Sequence, residues 1–248
     1  MSKVIVITGG SRGIGAATAR LAAARGYAVC VNYLENHAAA NAVVDEIRSG
    51  GGKAIVAAAD VAVEADVVSL FKEVDAQLGT VTALVNNAGI LDAQMRVEDM
   101  DAGRLNRIFA TNVIGYFLCA REAVRRMSTR HGGNGGGIVN VSSGASRLGA
   151  AGEYVDYAAS KGAVDTLTIG LSREVADEGI RVNAVRPGYI YTDIHASGGE
   201  PGRVDRIKDS VPMKRGGRPE EVANAILWLL SNEASYATGT FIDLAGGK

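Results

Sequence analysis

Seven short apolar runs, separated by segments with helical spacing, constrain this chain more than any other feature. The runs are VIVIT (4–8), AVCVN (28–32), AIVAA (54–58), TALVNN (82–87), GIVNVSS (137–143), IRVNAV (180–185) and TFIDLA (240–245). Most are nearly continuous rather than alternating, as in parallel strands covered on both faces. Between them, apolar residues three and four apart predict helices at about 14–25, 37–49, 64–78, 101–128, 154–178 and 219–231. Parallel neighbours need right-handed crossovers, which give an α/β fold: one doubly wound sheet of about seven strands with helices on both faces. No proline-rich or polar linker divides residues 1–248, so a single domain is expected.

Punctuation supports the helices. Gly26 and Gly179 follow helical runs, where a left-handed closing residue suits glycine. Pro219, Glu220 and Glu221 fit a helix start, with acids at the positive dipole end. HGGNGGG (131–137) lacks the Lys-Ser/Thr of a phosphate loop and precedes a strand, so it is expected to be a mobile surface turn.

The 26 basic and 27 acidic residues nearly cancel, leaving no broad field for nucleic acid or an anionic membrane, and a small-molecule partner is expected. Arg121, Arg125, Arg126 and Arg130 are expected to complement a helix C-terminus rather than dock an acidic carrier protein. Cys30 and Cys119 read as reduced, buried thiols. No run approaches the roughly 18 apolar residues of a membrane span, and MSKVIVITGG is too short an apolar start for a signal peptide. A soluble, cytoplasmic protein is the expectation. His37, His131 and His195 share no ligand spacing, so no metal site is expected.

The first strand runs directly into a glycine turn and an alanine-rich helix, VIVITGGSRGIGAATARLAAARG. Gly9, Gly13 and Gly15 permit close backbone approach, with Ser11 and Arg12 between them, and a helix starting near Ile14 offers free N–H groups to a pyrophosphate. The second strand ends in neutral Asn32 and Tyr33 rather than in the acid that takes NAD's ribose, while Arg12 can pair with a phosphate. These point to NADP. Glu35, about twenty residues past the glycines, keeps NAD open.

Tyr157 and Lys161 are spaced to share a helix face; Tyr154 has Ala158 at the matching position. Lowering a phenol by about three units takes about 4 kcal/mol, which a unit charge at about 4 Å supplies at an effective dielectric near 20. Lys161 is therefore expected to acidify Tyr157. Residues 189–216, hinged by glycines and mixed in charge, read as a substrate lid. Within them His195 is expected to be a solvated loop residue.

TGGSRGIG (8–15), NNAG (86–89), VSS (141–143), YAASK (157–161) and RPGYIYT (186–192), in this order, resemble the short-chain dehydrogenase/reductase family over essentially the whole chain. The likeness is greatest to bacterial members named as 3-oxoacyl carrier-protein reductases or glucose 1-dehydrogenase-like oxidoreductases. The resemblance implies a single Rossmann-like domain, a homotetramer, and hydride transfer between a nicotinamide and a small carbonyl or alcohol substrate. By it, Tyr157 is the acid/base, Lys161 lowers its pKa and holds the nicotinamide ribose, Ser143 bonds the substrate oxygen (Ser142 being the alternative), and Asn112 anchors a water in a proton relay. Asn87, Ala88, Gly89, Asp60 and Val61 would flank the adenosine; Pro187, Gly188, Ile190 and Thr192 would close over the nicotinamide amide. The Ser143–Tyr157 spacing is about a residue longer than the family pattern. A dinucleotide-sensing protein without turnover is the other functional class, disfavoured because such a sensor need not retain the Asn, Ser, Tyr and Lys together.

Overall fold

The computed structural model describes residues 3–248. Its strands are β1 (Lys3–Ile7), β2 (Tyr27–Tyr33), β3 (Ala54–Ala58), β4 (Ala83–Asn86), β5 (Gly136–Val141), β6 (Ile180–Pro187) and β7 (Phe241–Leu244). They form one parallel sheet in the order β3-β2-β1-β4-β5-β6-β7. Strand order reverses between β1 and β4, where Ile7 lies opposite Val85. Crossovers leave in opposite directions on either side of that point and open a crevice at the carboxyl edge, where such sheets take ligands.

Alternating residues of each strand face opposite sides. Ile5, Ile7, Val29, Val31, Val85 and Val139 pack on one side with α1 (Gly13–Ala24), α2 (His37–Ser49) and α10 (Pro219–Leu230), which follows the short helices α6 (Ala145–Leu148), α8 (Ile194–Ser197) and α9 (Arg203–Ile207) in the chain. Val4, Val6, Cys30, Leu84, Ile138 and Val182 pack on the other with α3 (Glu64–Gln77) and α5 (Gly115–Met127). Both faces are buried, which is why the strand sequences read as continuous apolar runs.

Two stretches differ from expectation. The helix predicted over 101–128 is α4 (Ala102–Phe109), a π-helical turn at Ala110–Ile114, and then α5. Apolar spacing does not register a single wide turn, and such turns cluster at functional sites. The HGGNGGG patch is at the surface as expected at His131, Gly132 and Asn134, but its later glycines are closely packed: a methyl group on Gly133 or Gly136 would collide with Met127, the last residue of α5. No described helix is long and apolar enough to cross a membrane.

Candidate active site

The carboxyl edge of the sheet opens into a cavity of about 660 Å³. At one end lies the glycine turn. Gly9 and Gly13 have φ of +59° and +52°, a region that favours glycine. A Cβ on Gly15 would lie 2.7 Å from Asn87 Nδ2 and closer still to the Gly9 carbonyl, so this glycine lets α1 pack against the turn. Arg12 occupies the N-cap of α1 and makes no side-chain cap bond. The first-turn N–H groups of α1 are thus left beside a cavity that Ser11, Arg12, Gly13 and Ile14 line.

Asn32 and Asn87 hold this turn in place. Asn32, buried at the end of β2, accepts from Gly9 N at 3.2 Å and donates to Ala57 O and Ala59 O. Asn87 donates to Thr8 O and Gly9 O, while Thr8 Oγ1 accepts from the amides of Asn87 and Ala88. Tyr33, Asp60, Val61, Ala88 and Gly89 continue the wall. Glu35 also lines it, exposed and past the end of β2.

At the other end are Ser143, Tyr157 and Lys161, with Pro187, Gly188, Ile190 and Thr192. Tyr157 and Lys161 project from α7 (Val155–Glu174). Ser142 Oγ is committed to Asp165 Oδ1 at 2.6 Å and Lys161 O. Ser143 Oγ accepts from Ala145 N and hydrogen-bonds the Tyr157 phenol, which favours the phenolate. Gly15 and Asn112 are the two predicted site residues that do not reach the cavity wall. Asn112, fully buried in the π turn, grips both backbone groups of Ile90 and donates to Ser160 Oγ at 3.1 Å; that hydroxyl donates in turn to Tyr157 O.

The electrostatics differ from the expected ones. Burial pushes the Tyr157 phenol up to about 12, with the Ser143 hydrogen bond pulling the other way. The Lys161 amine lies 5.6 Å from the Tyr157 ring centre and donates instead to Tyr116 Oη at 3.1 Å and Val141 O at 2.9 Å. Burial lowers Lys161 to about 7, and Asp165 opposes this. The expected arithmetic counted a lysine's charge at helical spacing and omitted the cost of burying both groups.

This has a consequence for stability. Between the folded value of about 7 and the ordinary 10.5, the unfolded chain carries a proton on Lys161 that the folded chain lacks. Stability of the apo protein therefore rises with pH through this window, and the full penalty is present below it. Above the ordinary thiol value of 9.0, Cys30 and Cys119, both raised by burial, oppose the rise. Urea titrations of the apo protein between about pH 7 and 9 should show the upward slope, and Lys161→Met should flatten it while raising stability at pH 7.

Sequence reasoning passed over several residues near the reacting end. Tyr116 lies four positions after Asn112, a spacing that signals proximity in a helix. Glu153, Tyr154 and Arg203 also line the cavity, with Arg203 ion-paired to Glu153 and Glu200. His195 is not a solvated loop residue: it lines the cavity and its Nε2 donates to Ile190 O at 3.0 Å. The basic helix end is paired throughout, Arg121 with Glu64, Arg125 with Glu122, Arg126 with Asp75 and Glu122, and Arg130 with Asp177.

A doubly wound parallel sheet with a glycine turn at its switch point and a Ser-Tyr-Lys cluster on the same crevice is the architecture of a nicotinamide-dependent oxidoreductase. A family profile described as enoyl-(acyl carrier protein) reductase matches residues 9–248. Over 245 residues the chain is 64% identical to the uncharacterized oxidoreductase YgfF of Escherichia coli, covering 99% of each. It is 36% identical over 249 residues to a 3-oxoacyl-[acyl-carrier-protein] reductase FabG of Staphylococcus epidermidis, covering 100% of this chain and 99% of that one. A short-chain dehydrogenase/reductase mutant from Serratia marcescens superposes with a TM-score of 0.91 at 33% identity, covering 99% of this chain and 97% of the other. A short-chain type dehydrogenase/reductase from Mycobacterium marinum gives 0.92 at 35%, covering 99% and 94%. The chain belongs to the short-chain dehydrogenase/reductase family, and it is an oxidoreductase acting on CH–OH or C=O groups.

Proposed function

We propose that this protein is an NADP-dependent reductase and dehydrogenase of small carbonyl and alcohol substrates, with Tyr157 as its acid/base. The observation that carries the reading is that one crevice is lined by the first turn of α1 at one end and by Ser143, Tyr157 and Lys161 at the other. The residues fit a dinucleotide. The uncapped start of α1, with Gly13 beside it, offers donors to a pyrophosphate; Asp60, Val61 and Ala88 would flank the adenosine, and Lys161 with Ile190 and Thr192 the nicotinamide end. Bound NADP(H) supplies or takes the hydride.

The chain's own groups do the rest. Ser143 fixes the substrate oxygen beside the phenol. Tyr157 delivers its proton to that oxygen as negative charge develops there, and Ser143 and Tyr157 together stabilise the charge. A phenol held protonated by burial is in the acid form, as carbonyl reduction requires. Residues 189–216 are proposed to act as the lid within a single domain over 1–248; Tyr154 Oη donates to Gly198 O and Arg203 pairs with Glu153 across this boundary.

The NADP preference rests on Arg12, exposed and lining the same cavity as the neutral end of β2, Asn32 and Tyr33. A charge-assisted bond to the extra phosphate is worth about 2 kcal/mol, so Arg12→Ala should weaken NADPH binding roughly thirtyfold and NADH binding by less than about threefold. Fluorescence titration with both cofactors checks this; equal losses would assign the role of Arg12 elsewhere and leave NAD as the cofactor. We place the protein in the cytoplasm, in keeping with its free, buried thiols. We also propose a homotetramer, supported by large apolar side chains left exposed at the π turn and start of α5 (Ile114, Phe117), in α10 (Trp228) and after it (Tyr236). Light scattering tests this assembly.

A further inference from the structure

Lys161 is 2% exposed, and its amine is held mainly by groups outside its own helix. An ammonium has three N–H donors. Two of them are taken by Tyr116 Oη at 3.1 Å and Val141 O at 2.9 Å. Tyr116, 1% exposed in the first turn of α5, donates its own proton to the same Val141 carbonyl at 3.0 Å. Amine, phenol and carbonyl therefore form a closed triangle at the end of β5, just before Ser142 and Ser143. The amine also lies 4.9 Å from the Tyr116 ring centre, nearer than the 5.6 Å to that of Tyr157. Asn86 Nδ2 donates to Tyr116 O at 3.3 Å and ties this turn of α5 to the sheet.

The geometry points to Tyr116 as a positioning residue for Lys161: its buried hydroxyl accepts from the ammonium, stabilises the charged form, and leaves one N–H free for the cavity. The inference rests on the assignment of Lys161 and Tyr157 to the reacting end. The other groups facing the amine do not duplicate this role. Tyr157 sits on the same helix and hydrogen-bonds Ser143. Asp165, one turn further along α7, is engaged by Ser142 Oγ and Arg186. Burial keeps Tyr116 itself protonated, so it serves as a neutral dipole rather than as a second base.

Tyr116→Phe removes one oxygen and keeps the ring, and Val141 O retains the Lys161 N–H, so the variant should fold; circular dichroism and a count of NADPH-binding sites verify that. Losing an acceptor of the charged form makes Lys161 lose its proton at lower pH. With NADPH and a carbonyl substrate, kcat/KM at pH 8 should fall about tenfold and the alkaline limb of its pH profile should move about one unit lower. In a Lys161→Met background the same substitution should change the residual rate by less than about twofold. An unmoved alkaline limb, or the same loss in both backgrounds, overturns the inference by showing that Tyr116 only packs. Tyr157→Phe in the same assay separates the two claims. If it keeps full turnover, the assignment of the reacting phenol has failed; if it is inactive while Tyr116→Phe is unaltered, only the role of Tyr116 has failed.

Discussion

Tyr157→Phe is expected to lower kcat roughly a thousandfold while NADPH affinity stays within about threefold, because general acid catalysis by a positioned group contributes 10²- to 10⁴-fold. The substitution removes one hydroxyl and keeps the ring that lies 5.6 Å from the Lys161 amine. Ser143 would remain to fix the substrate oxygen, but its hydroxyl cannot supply the proton without creating an alkoxide. The phenol's upward shift to about 12 adds a direction to the expectation. The protonated form dominates at neutral pH, so wild-type carbonyl reduction should need no deprotonation. Alcohol oxidation, which needs the phenolate as base, should accelerate as pH rises. Initial rates followed at 340 nm in both directions for wild type and Tyr157→Phe check both statements. Unchanged turnover in the variant with NADPH still bound would remove Tyr157 from the chemistry.

Much of this site was legible because each of its parts is a local pattern. The strand-turn-helix at 4–26 places Gly9, Gly13 and Ile14 by itself, since the backbone around a glycine turn depends on few distant residues. The four-residue spacing of Tyr157 and Lys161 needs only a helix. What stayed hidden depends on contacts distant in sequence. Tyr116 reaches the Lys161 amine from the first turn of a crossover helix, after a π turn that no periodicity specifies. The direction of the Lys161 amine is set by a carbonyl at the end of β5, twenty positions away in the chain. Burial, the dominant influence on both titrating groups, belongs to the packed structure and not to any short stretch. The glycines of 131–137 illustrate the same limit. Composition alone does not show that Met127 packs against Gly133 and Gly136, and the Gly179 backbone against Gly135.

The largest stability effect is expected at Arg104, a residue that no motif singles out. Its guanidinium, 4% exposed, pairs through Nε with Asp156 Oδ2 at 2.6 Å, and the aspartate side chain is fully buried. The same guanidinium donates to Ala93 O at 2.6 Å, and Asp156 Oδ1 accepts from the Tyr157 amide at 2.9 Å. One ion pair thus joins α4, the loop after β4 and the first turn of α7. Arg104→Met should cost about 3–5 kcal/mol, because it leaves a carboxylate buried without its partner. For a chain of this size, that lowers Tm by about 10 °C. Arg104→Met combined with Asp156→Leu removes both charges and should recover much of the loss, though Ala93 O remains without its donor. Thermal and urea unfolding of wild type, single and double variants measure the cycle. A single variant within about 1 kcal/mol of wild type would mean that water replaces the guanidinium at Asp156 and that the pair contributes little to holding α7. If instead the double variant regains stability but not kcat, the strut's contribution lies in placing the Tyr157 backbone, separate from its contribution to folding.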